Sequence, residues 1–214
     1  GVLIETDLQQ AKWHLKEIAF PGNGKKLGAS GLSELDLVSA RTEFYTHPTA
    51  LPTVERGSIK LDLHRRDFTI NTLALRLDGN HYGALHDYWG GMEDLREGSV
   101  KVLHSLSFVD DPTRILRAVR FEQRLNFSID ERTLELLMEA RPLLERLSGE
   151  RIRHELNHMF KDPSAAKIRQ RLQELELLQI IHPSLSWDSW LTEKIAWIKS
   201  LNIEDIPDLG KSYD

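Results

Sequence analysis

The segment at residues 110–121, Asp-Asp-Pro-Thr-Arg-Ile-Leu-Arg-Ala-Val-Arg-Phe, constrains the fold more than any other stretch of the chain. Pro112 suits the first position of a helix, where an N–H group would be unpaired anyway, and either preceding aspartate can cap that helix. Apolar residues follow at helical spacing, so the segment predicts an amphipathic helix with one face toward a core. These apolar residues are Ile115, Leu116, Val119 and Leu125.

The same helix carries four basic side chains, namely Arg114, Arg117, Arg120 and Arg124. The carboxylate of Asp111 can accept a hydrogen bond from an exocyclic amino group, and Arg114 can donate to the neighbouring ring nitrogen or carbonyl of a base. Cytosine and adenine offer that pairing, whereas uracil and guanine do not. The pattern therefore fits a site that reads C or A, and it also fits a capped helix with a solvated basic face.

The composition is that of a globular protein. With 214 residues, of which 40% are apolar, the chain can bury the core of one large or two small domains. A net charge of -5 excludes a generally basic surface, so RNA binding would need local patches such as residues 114–124 or 141–153. The absence of cysteine excludes disulfides and thiolate metal sites. No apolar run approaches the ~20 residues of a membrane span, and we expect a cytoplasmic protein with no membrane partner.

Periodicity predicts helices and strands along the chain. Residues 7–19 carry apolar side chains at helical spacing and predict an amphipathic helix, whereas residues 32–38 alternate and predict a half-buried strand with Asp36 on its polar face. Residues 66–77 predict a short helical or extended segment, and residues 78–80 predict a hairpin turn.

From residue 87 onward the helical periodicity is strong, and sheet structure is expected to end at residue 86. The tandem glycines Gly90 and Gly91 mark this change. Because glycine lowers the cost of backbone rearrangement, they predict a hinge between a sheet domain and a helical one.

A second motif, Arg-Arg-Asp-Phe-Thr-Ile-Asn at residues 65–71, lies upstream of the helix at residues 110–121. Together the two segments resemble the class II tRNA nucleotidyltransferase and bacterial poly(A) polymerase family, in which they correspond to the sugar-recognition and base-reading motifs. Residues 87–95 resemble the hinge of that family between head and neck, and residues 148–156 resemble its neck-stabilising helix. The resemblance covers roughly residues 32–160, and the joint order and spacing of the motifs make it specific.

This resemblance implies roles for residues on the central helix. Asp111 and Arg114 would form the protein template that accepts CTP or ATP. Arg117 and Arg120 would lie near the triphosphate, where arginine forks match phosphate oxygens. One difference is small, since the family usually has Glu at the position of Asp110.

The resemblance also implies that Arg66 and Asp67 hold the ribose, because a carboxylate suits ribose hydroxyls. Arg65 and Asn71 belong to the same motif and are further candidates for nucleotide binding.

Catalysis in this family depends on a segment that the sequence does not contain. A glycine-rich stretch and an Asp-x-Asp pair hold two Mg²⁺ ions in family members, and residues 2–8 resemble the piece that follows them. Asp36 matches the third acidic position, so the resemblance implies a catalytic and metal-binding role for it. One carboxylate cannot replace two missing ligands, and we expect this chain alone to be inactive.

The implied fold is α+β. Residues 1–88 would be the remainder of a nucleotidyltransferase (polymerase beta-like) head domain, residues 89–160 a helical neck that recognises the base, and residues 161–214 the start of a helical body. The intact enzyme would add C or A from CTP or ATP to the 3′ end of tRNA, and would release pyrophosphate.

Several questions stay open at this level. CCA-adding, CC-adding, A-adding and poly(A)-synthesising enzymes share the same base-reading pair, so the sequence does not choose among them. The oligomeric state is not indicated. The alternative to an enzyme is a catalytically inactive remnant that binds nucleotides or RNA. An Asp-x-Asp pair upstream of this sequence would favour the enzyme.

Residues 154–158, His-Glu-Leu-Asn-His, satisfy the H-E-x-x-H pattern of zinc metalloproteases, with the two histidines one helical turn apart. Candidates for a third ligand are Glu174, Glu176 and His182. The pattern lies inside the segment that resembles the neck helix, and solvated histidines on a structural helix are the favoured interpretation.

Overall fold

The structure, a computed structural model, describes residues 2–6, 10–14, 34–44 and 53–185, with residues 193, 194, 197 and 200 beyond them. Its amino-terminal part is an antiparallel sheet of three strands in the order β1-β2-β3. The strands are β1 (Val2–Thr6), β2 (Gln10–His14) and β3 (Glu34–Val38). The strand predicted at residues 32–38 is thus confirmed for β3.

The helix predicted at residues 7–19 is wrong at its centre, where Gln10–His14 form β2. This strand is hydrogen-bonded to β1 on one side and to β3 on the other, and short helices are only marginally stable on their own. Pairing on both edges therefore outweighs the helical spacing of the apolar residues. Residues 7–9 and 15–19 lie outside the described residues.

A second sheet joins β4 (Arg41–Phe44) to β5 (Thr53–Arg56), and helix α1 (Ile59–His64) follows. The hydroxyl of Ser58 caps α1 by accepting the Leu61 N–H. After a 3-10 turn at Thr69–Asn71, the short strands β6 (Ala74–Leu75) and β7 (Leu85–His86) pair antiparallel, which confirms a hairpin around residues 78–80.

Helices dominate from residue 91 onward, as the periodicity predicts. They are α2 (Gly91–Glu97), α3 (Ser107–Asp110), α4 (Thr113–Leu125), α5 (Glu131–Ala140), α6 (Gly149–Lys161), α7 (Ala165–Glu174) and α8 (Leu177–Ile181). Sheet structure does not end at residue 86, however, because β8 (Ser99–Val100) pairs in parallel with β9 (Ser128–Ile129). Strands of two residues leave no alternation to detect in the sequence.

Helix α4 lies at the centre of the core and contacts α3, α6 and α7. Its residues Ile115, Leu116 and Val119 are fully buried, so this part of the predicted apolar face is confirmed, whereas Leu125 is 39% exposed. Burying each such aliphatic side chain contributes about 1.5–3 kcal/mol. The core thus fixes α4 and, with it, the polar side chains of its first two turns.

Small sheets followed by a helical region confirm the α+β class. Within the part of the chain that the structure describes, no helix has both the length and the apolar character that a membrane crossing requires. The domain boundaries at residues 88 and 160 stay predictions.

Candidate functional site

A cavity of about 480 Å³ lies beside the start of α4, next to the turn that follows α1. This volume is within the range of roughly 300–1,000 Å³ that small-molecule sites occupy. The lining residues are Arg65, Arg66, Asp67, Asn71, Asp111, Arg114, Arg117 and Phe121. The structure therefore brings together seven of the eight residues proposed from sequence for nucleotide binding, and it leaves Arg120 outside the lining.

Asp67 and Arg117 form a closed ion pair on the wall of this cavity. The Nε and Nη2 groups of Arg117 both donate to Oδ2 of Asp67, the first at 2.7 Å. The other oxygen, Oδ1, accepts from the Phe68 N–H at 3.0 Å and from the Asn71 amide at 2.7 Å. Burial opposes ionisation of Asp67, yet Arg117, Asn71 and Phe68 together hold the pKa of its carboxyl below the ordinary value.

Asp111 lies between α3 and α4, where its carboxylate is held on one side. Three donors reach Oδ1: the Thr113 N–H at 3.0 Å, the Thr113 hydroxyl at 2.6 Å and Nη2 of Arg151 at 2.6 Å. Among the described residues, no hydrogen bond to Oδ2 is formed. Asp111 thus accepts the first N–H of α4, which begins at Thr113, one residue later than predicted, and it also lines the cavity.

Arg114 is buried, although the sequence places it on a basic face of α4. Its Nη1 donates to the Ser107 hydroxyl at 2.7 Å, and its Nη2 donates to the backbone oxygen of Arg65 at 2.9 Å. The residue is only 6% exposed, yet it lines the cavity. A guanidinium whose orientation is fixed by two internal acceptors is well suited to donate to a rigid partner in a defined direction.

Arg120 packs against α6 instead of the cavity. Its Nη2 is 3.8 Å from Oε2 of Glu155, and Nη1 of Arg117 is 3.7 Å from Oε1 of the same carboxylate. Glu155 is 5% exposed, so a buried acid holds both arginines. The geometry gives Arg120 a structural contact and no direct place at the cavity.

Asp62 lies outside the cavity lining but holds two of its arginines, and sequence reasoning missed it. Its carboxylate accepts from Arg65 at 2.9 Å, from Arg66 at 2.9 Å and from the Arg41 N–H at 3.1 Å. Burial raises the pKa of Asp62, but these donors outweigh it and hold the pKa below its ordinary value. Its spacing of three and four residues from two arginines is a helical ion-pair signal that could have identified it.

The tandem glycines begin α2. Gly90 has a φ of +74°, and a Cβ on Gly91 would lie 2.3 Å from the backbone oxygen of Thr69. The Asp87 carboxylate accepts the N–H groups of Gly91 and Met92 at 2.8 and 3.0 Å. Both glycines therefore have a local geometric requirement, and their role as a hinge stays a prediction.

The described residues do not form a metal centre. They include no group of three or more His, Asp or Glu side chains that could share an ion. Asp36 lies in β3, paired in register with Lys12, and its side chain is outside the described residues.

The H-E-x-x-H segment lies on α6. His154 and His158 are exposed, with their Nε2 atoms 3.1 Å apart. The glutamate that would act as general base, Glu155, instead faces Arg117 and Arg120. Within the part of the chain described, no third ligand joins the two histidines, so the geometry does not favour a zinc metalloprotease.

The cavity is therefore positively charged, with four arginines against two aspartates. Such a lining favours an anionic ligand. The acceptor Oδ2 of Asp111 and the buried donor Arg114 add a directional element at the start of α4. This combination suits a ligand that carries both phosphates and a hydrogen-bonding ring.

Comparison with known proteins gives a consistent result. A sequence model described as "Poly A polymerase head domain" matches residues 9–101, and one described as "Probable RNA and SrmB- binding site of polymerase A" matches residues 126–188. An A-adding tRNA nucleotidyltransferase from Geobacter sulfurreducens is 46% identical over 188 residues, which are 86% of this chain and 21% of that protein.

Two solved structures are also similar. A CCA-adding enzyme in apo form II has a TM-score of 0.78 and 38% identity, over 92% of this chain and 44% of that one. The Thermotoga maritima CCA-adding enzyme complexed with tRNA has a TM-score of 0.67 and 36% identity, over 97% of this chain and 43% of that one. The chain thus spans about a fifth of the curated relative and less than half of each solved chain.

Proposed function

Since this chain belongs to the tRNA nucleotidyltransferase and bacterial poly(A) polymerase family, we propose that its cavity selects the nucleotide that is added to the 3′ end of tRNA. The reaction is the transfer of C, A or both from CTP or ATP, with release of pyrophosphate. The observation that carries this proposal is the pair formed by Oδ2 of Asp111 and the guanidinium of Arg114 at the cavity.

The pair has the donor and acceptor pattern that the chemistry needs. Oδ2 of Asp111 would accept from the exocyclic amino group of cytosine or adenine, and Arg114 would donate to the adjacent ring nitrogen or carbonyl. Uracil and guanine present a carbonyl oxygen at the corresponding position, so two acceptors would face each other. A protein template of this kind needs no nucleic-acid template.

The phosphates and ribose would be bound by the rest of the lining. Arg66 has a side chain that is 44% exposed and can turn toward a phosphate while Asp62 holds one of its nitrogens. Arg117 is held by Asp67, and this pair would present Asn71 and the remaining guanidinium face to the ribose and triphosphate. Arg120 would act only through Glu155.

Phosphoryl transfer in this class uses divalent metal ions, and Mg²⁺ is the ion we propose because hard oxygen ligands and nucleotide phosphates favour it. We assign it no ligand among the described residues. A tRNA substrate would place the protein in the cytoplasm.

The test is incorporation of labelled nucleotides into tRNA that lacks its terminal CCA, with the natural full-length protein. We expect incorporation from ATP, from CTP or from both, and none from UTP or GTP. Separate reactions with each nucleotide would distinguish A-adding from CC-adding and CCA-adding activity. If the protein binds ATP and CTP but transfers neither to tRNA, the proposed transferase activity is contradicted. That result would support the alternative, a catalytically inactive nucleotide-binding protein.

A further inference from the structure

Arg151 does not line the cavity, yet it contacts the residue that we propose reads the base. It lies in the first turn of α6, where its N–H is 3.4 Å from the hydroxyl of the capping residue Ser148. Its Nη2 donates to Oδ1 of Asp111 at 2.6 Å, across 40 residues of sequence. The two side chains are 27% and 21% exposed, so the contact is shielded from solvent on most sides.

The contact decides which oxygen of Asp111 is available. Oδ1 already accepts two hydrogen bonds from Thr113, and the guanidinium of Arg151 adds a third, charge-assisted bond from the opposite helix. With Oδ1 held from two directions, rotation of the carboxylate would break several bonds at once. The described contacts therefore favour one orientation, with Oδ2 as the oxygen left for a ligand.

We propose that Arg151 is a positioning residue for base selection, because it fixes the Asp111 carboxylate so that Oδ2 meets the exocyclic amino group of CTP or ATP. This inference rests on the proposed function. A fixed acceptor also discriminates against wrong bases. If the carboxylate could turn, its oxygens would move away from the carbonyl of UTP or GTP, and the penalty for the wrong base would fall.

Glu155 offers a contrast on the same helix. It lies one turn after Arg151 and contacts Arg117 and Arg120, which we do not assign to base reading. A loss of Glu155 would weaken the wall beside the phosphates and ribose, which all nucleotides share. Substitution of Arg151 should therefore change the ratio of affinities among the four nucleotides. Substitution of Glu155 should lower all four affinities by a similar factor.

The experiment measures equilibrium binding of CTP, ATP, UTP and GTP to the natural full-length protein. The variants are Arg151→Ala, Arg151→Lys and the control Arg153→Ala, which removes an exposed arginine from the same helix. For Arg151→Ala we expect the preference for CTP over UTP to fall about tenfold, within the range that one good base contact supplies. Arg151→Lys should restore part of the preference, and Arg153→Ala should leave it unchanged.

A double variant tests whether Arg151 acts through Asp111. In the Asp111→Ala background, Arg151→Ala should cause no further loss of preference, since coupled residues are not additive. Thermal melting of every variant shows that the folded proteins are being compared. If Arg151→Ala unfolds the chain, Arg151→Lys carries the test, because it keeps the charge and loses the guanidinium geometry.

The outcomes separate this inference from the proposed function. A wild-type chain that prefers CTP and ATP, with an equal preference in both Arg151 variants, would overturn the role of Arg151 and leave the proposed function intact. An equal loss of affinity for all four nucleotides would also overturn it. A wild-type chain without preference among bases would overturn the proposed function, and the role of Arg151 with it.

Discussion

The cavity contains two combinations of one aspartate and one arginine, and they differ in how they are connected. Asp67 and Arg117 are bonded to each other through two hydrogen bonds to one carboxylate oxygen. Asp111 and Arg114 are not bonded to each other among the described residues. Arg114 is held by Ser107 and the Arg65 backbone, and Asp111 is held by Thr113 and Arg151. In the first pair, which we call the closed pair, both oxygens of the aspartate already accept hydrogen bonds. The second, which we call the open pair, leaves an acceptor and a donor for a ligand.

The difference shows that residue type alone does not assign a role. Burying an ion pair is favourable only when its geometry is good and its remaining polar atoms are bonded, and the carboxylate of Asp67 meets both conditions. We therefore expect the closed pair to control stability and the open pair to control selectivity.

The largest expected effect comes from opening the closed pair. Asp67→Ala leaves Arg117 partly buried without its main partner, and breaking such a pair costs about 3–5 kcal/mol. Urea unfolding measures the change in the free energy of unfolding. Asp78→Ala is the matched control, since Asp78 is paired with Arg76 but is 72% exposed, and its removal should leave the free energy of unfolding nearly unchanged. Equal losses for the two variants would contradict the distinction.

A smaller effect is expected at the turn that carries Asn71. In Gly91→Ala, the new Cβ would lie 2.3 Å from the Thr69 backbone oxygen, so the backbone must move, at a cost of about 1–3 kcal/mol. Gly90→Ala only places alanine at a positive φ and should cost about 1 kcal/mol. Thermal melting of the two variants checks this order. If the two variants melt at similar temperatures but incorporate nucleotides at altered rates, the glycines would instead act as a hinge.

The closed pair should also respond to pH. Because the pKa of Asp67 in the folded state lies below its ordinary value of 3.8, its contribution to stability is present above that value and is lost as the pH falls through the folded pKa. The stability difference between wild type and Asp67→Asn should stay constant from about pH 7 to 5 and narrow below 3.8. Chemical unfolding at a series of pH values measures it. If the stability difference between wild type and Asp67→Asn already narrows near neutral pH, a group other than Asp67 causes the pH dependence.

Seven of the eight residues that line the cavity were named from the sequence, because their motifs resemble those of a known family in order and spacing. It did not predict that Arg120 lies outside the lining or that Arg114 is buried. Arg114 and Arg120 are on the polar side of an amphipathic helix, but Arg114 is buried and donates to Ser107, and Arg120 is only partly exposed and packs against Glu155. The contact of Arg114 with the Arg65 backbone spans 49 residues, and the contact of Arg120 is made with α6, so helical spacing within α4 contains no information about either.

Long-range pairing explains the other differences in the fold. Gln10–His14 form a central strand because β1 and β3 flank it, and β8 pairs with β9 across the whole length of α4. Arg151 was missed for the same reason, since its contact with Asp111 joins residues 40 positions apart. Local patterns predict elements, and the partners of an element are decided by tertiary packing.

The central claim is that the open pair selects the base and the closed pair does not. Competition between CTP and UTP for the same protein tests it directly, with Asp111→Ala compared with Asp67→Asn. We expect Asp111→Ala to reduce the preference for CTP by the equivalent of about 1–3 kcal/mol while the chain stays folded. Asp67→Asn should weaken the binding of both nucleotides and leave the ratio of their affinities unchanged. An unchanged ratio in Asp111→Ala would reduce Asp111 to a helix cap and contradict the account.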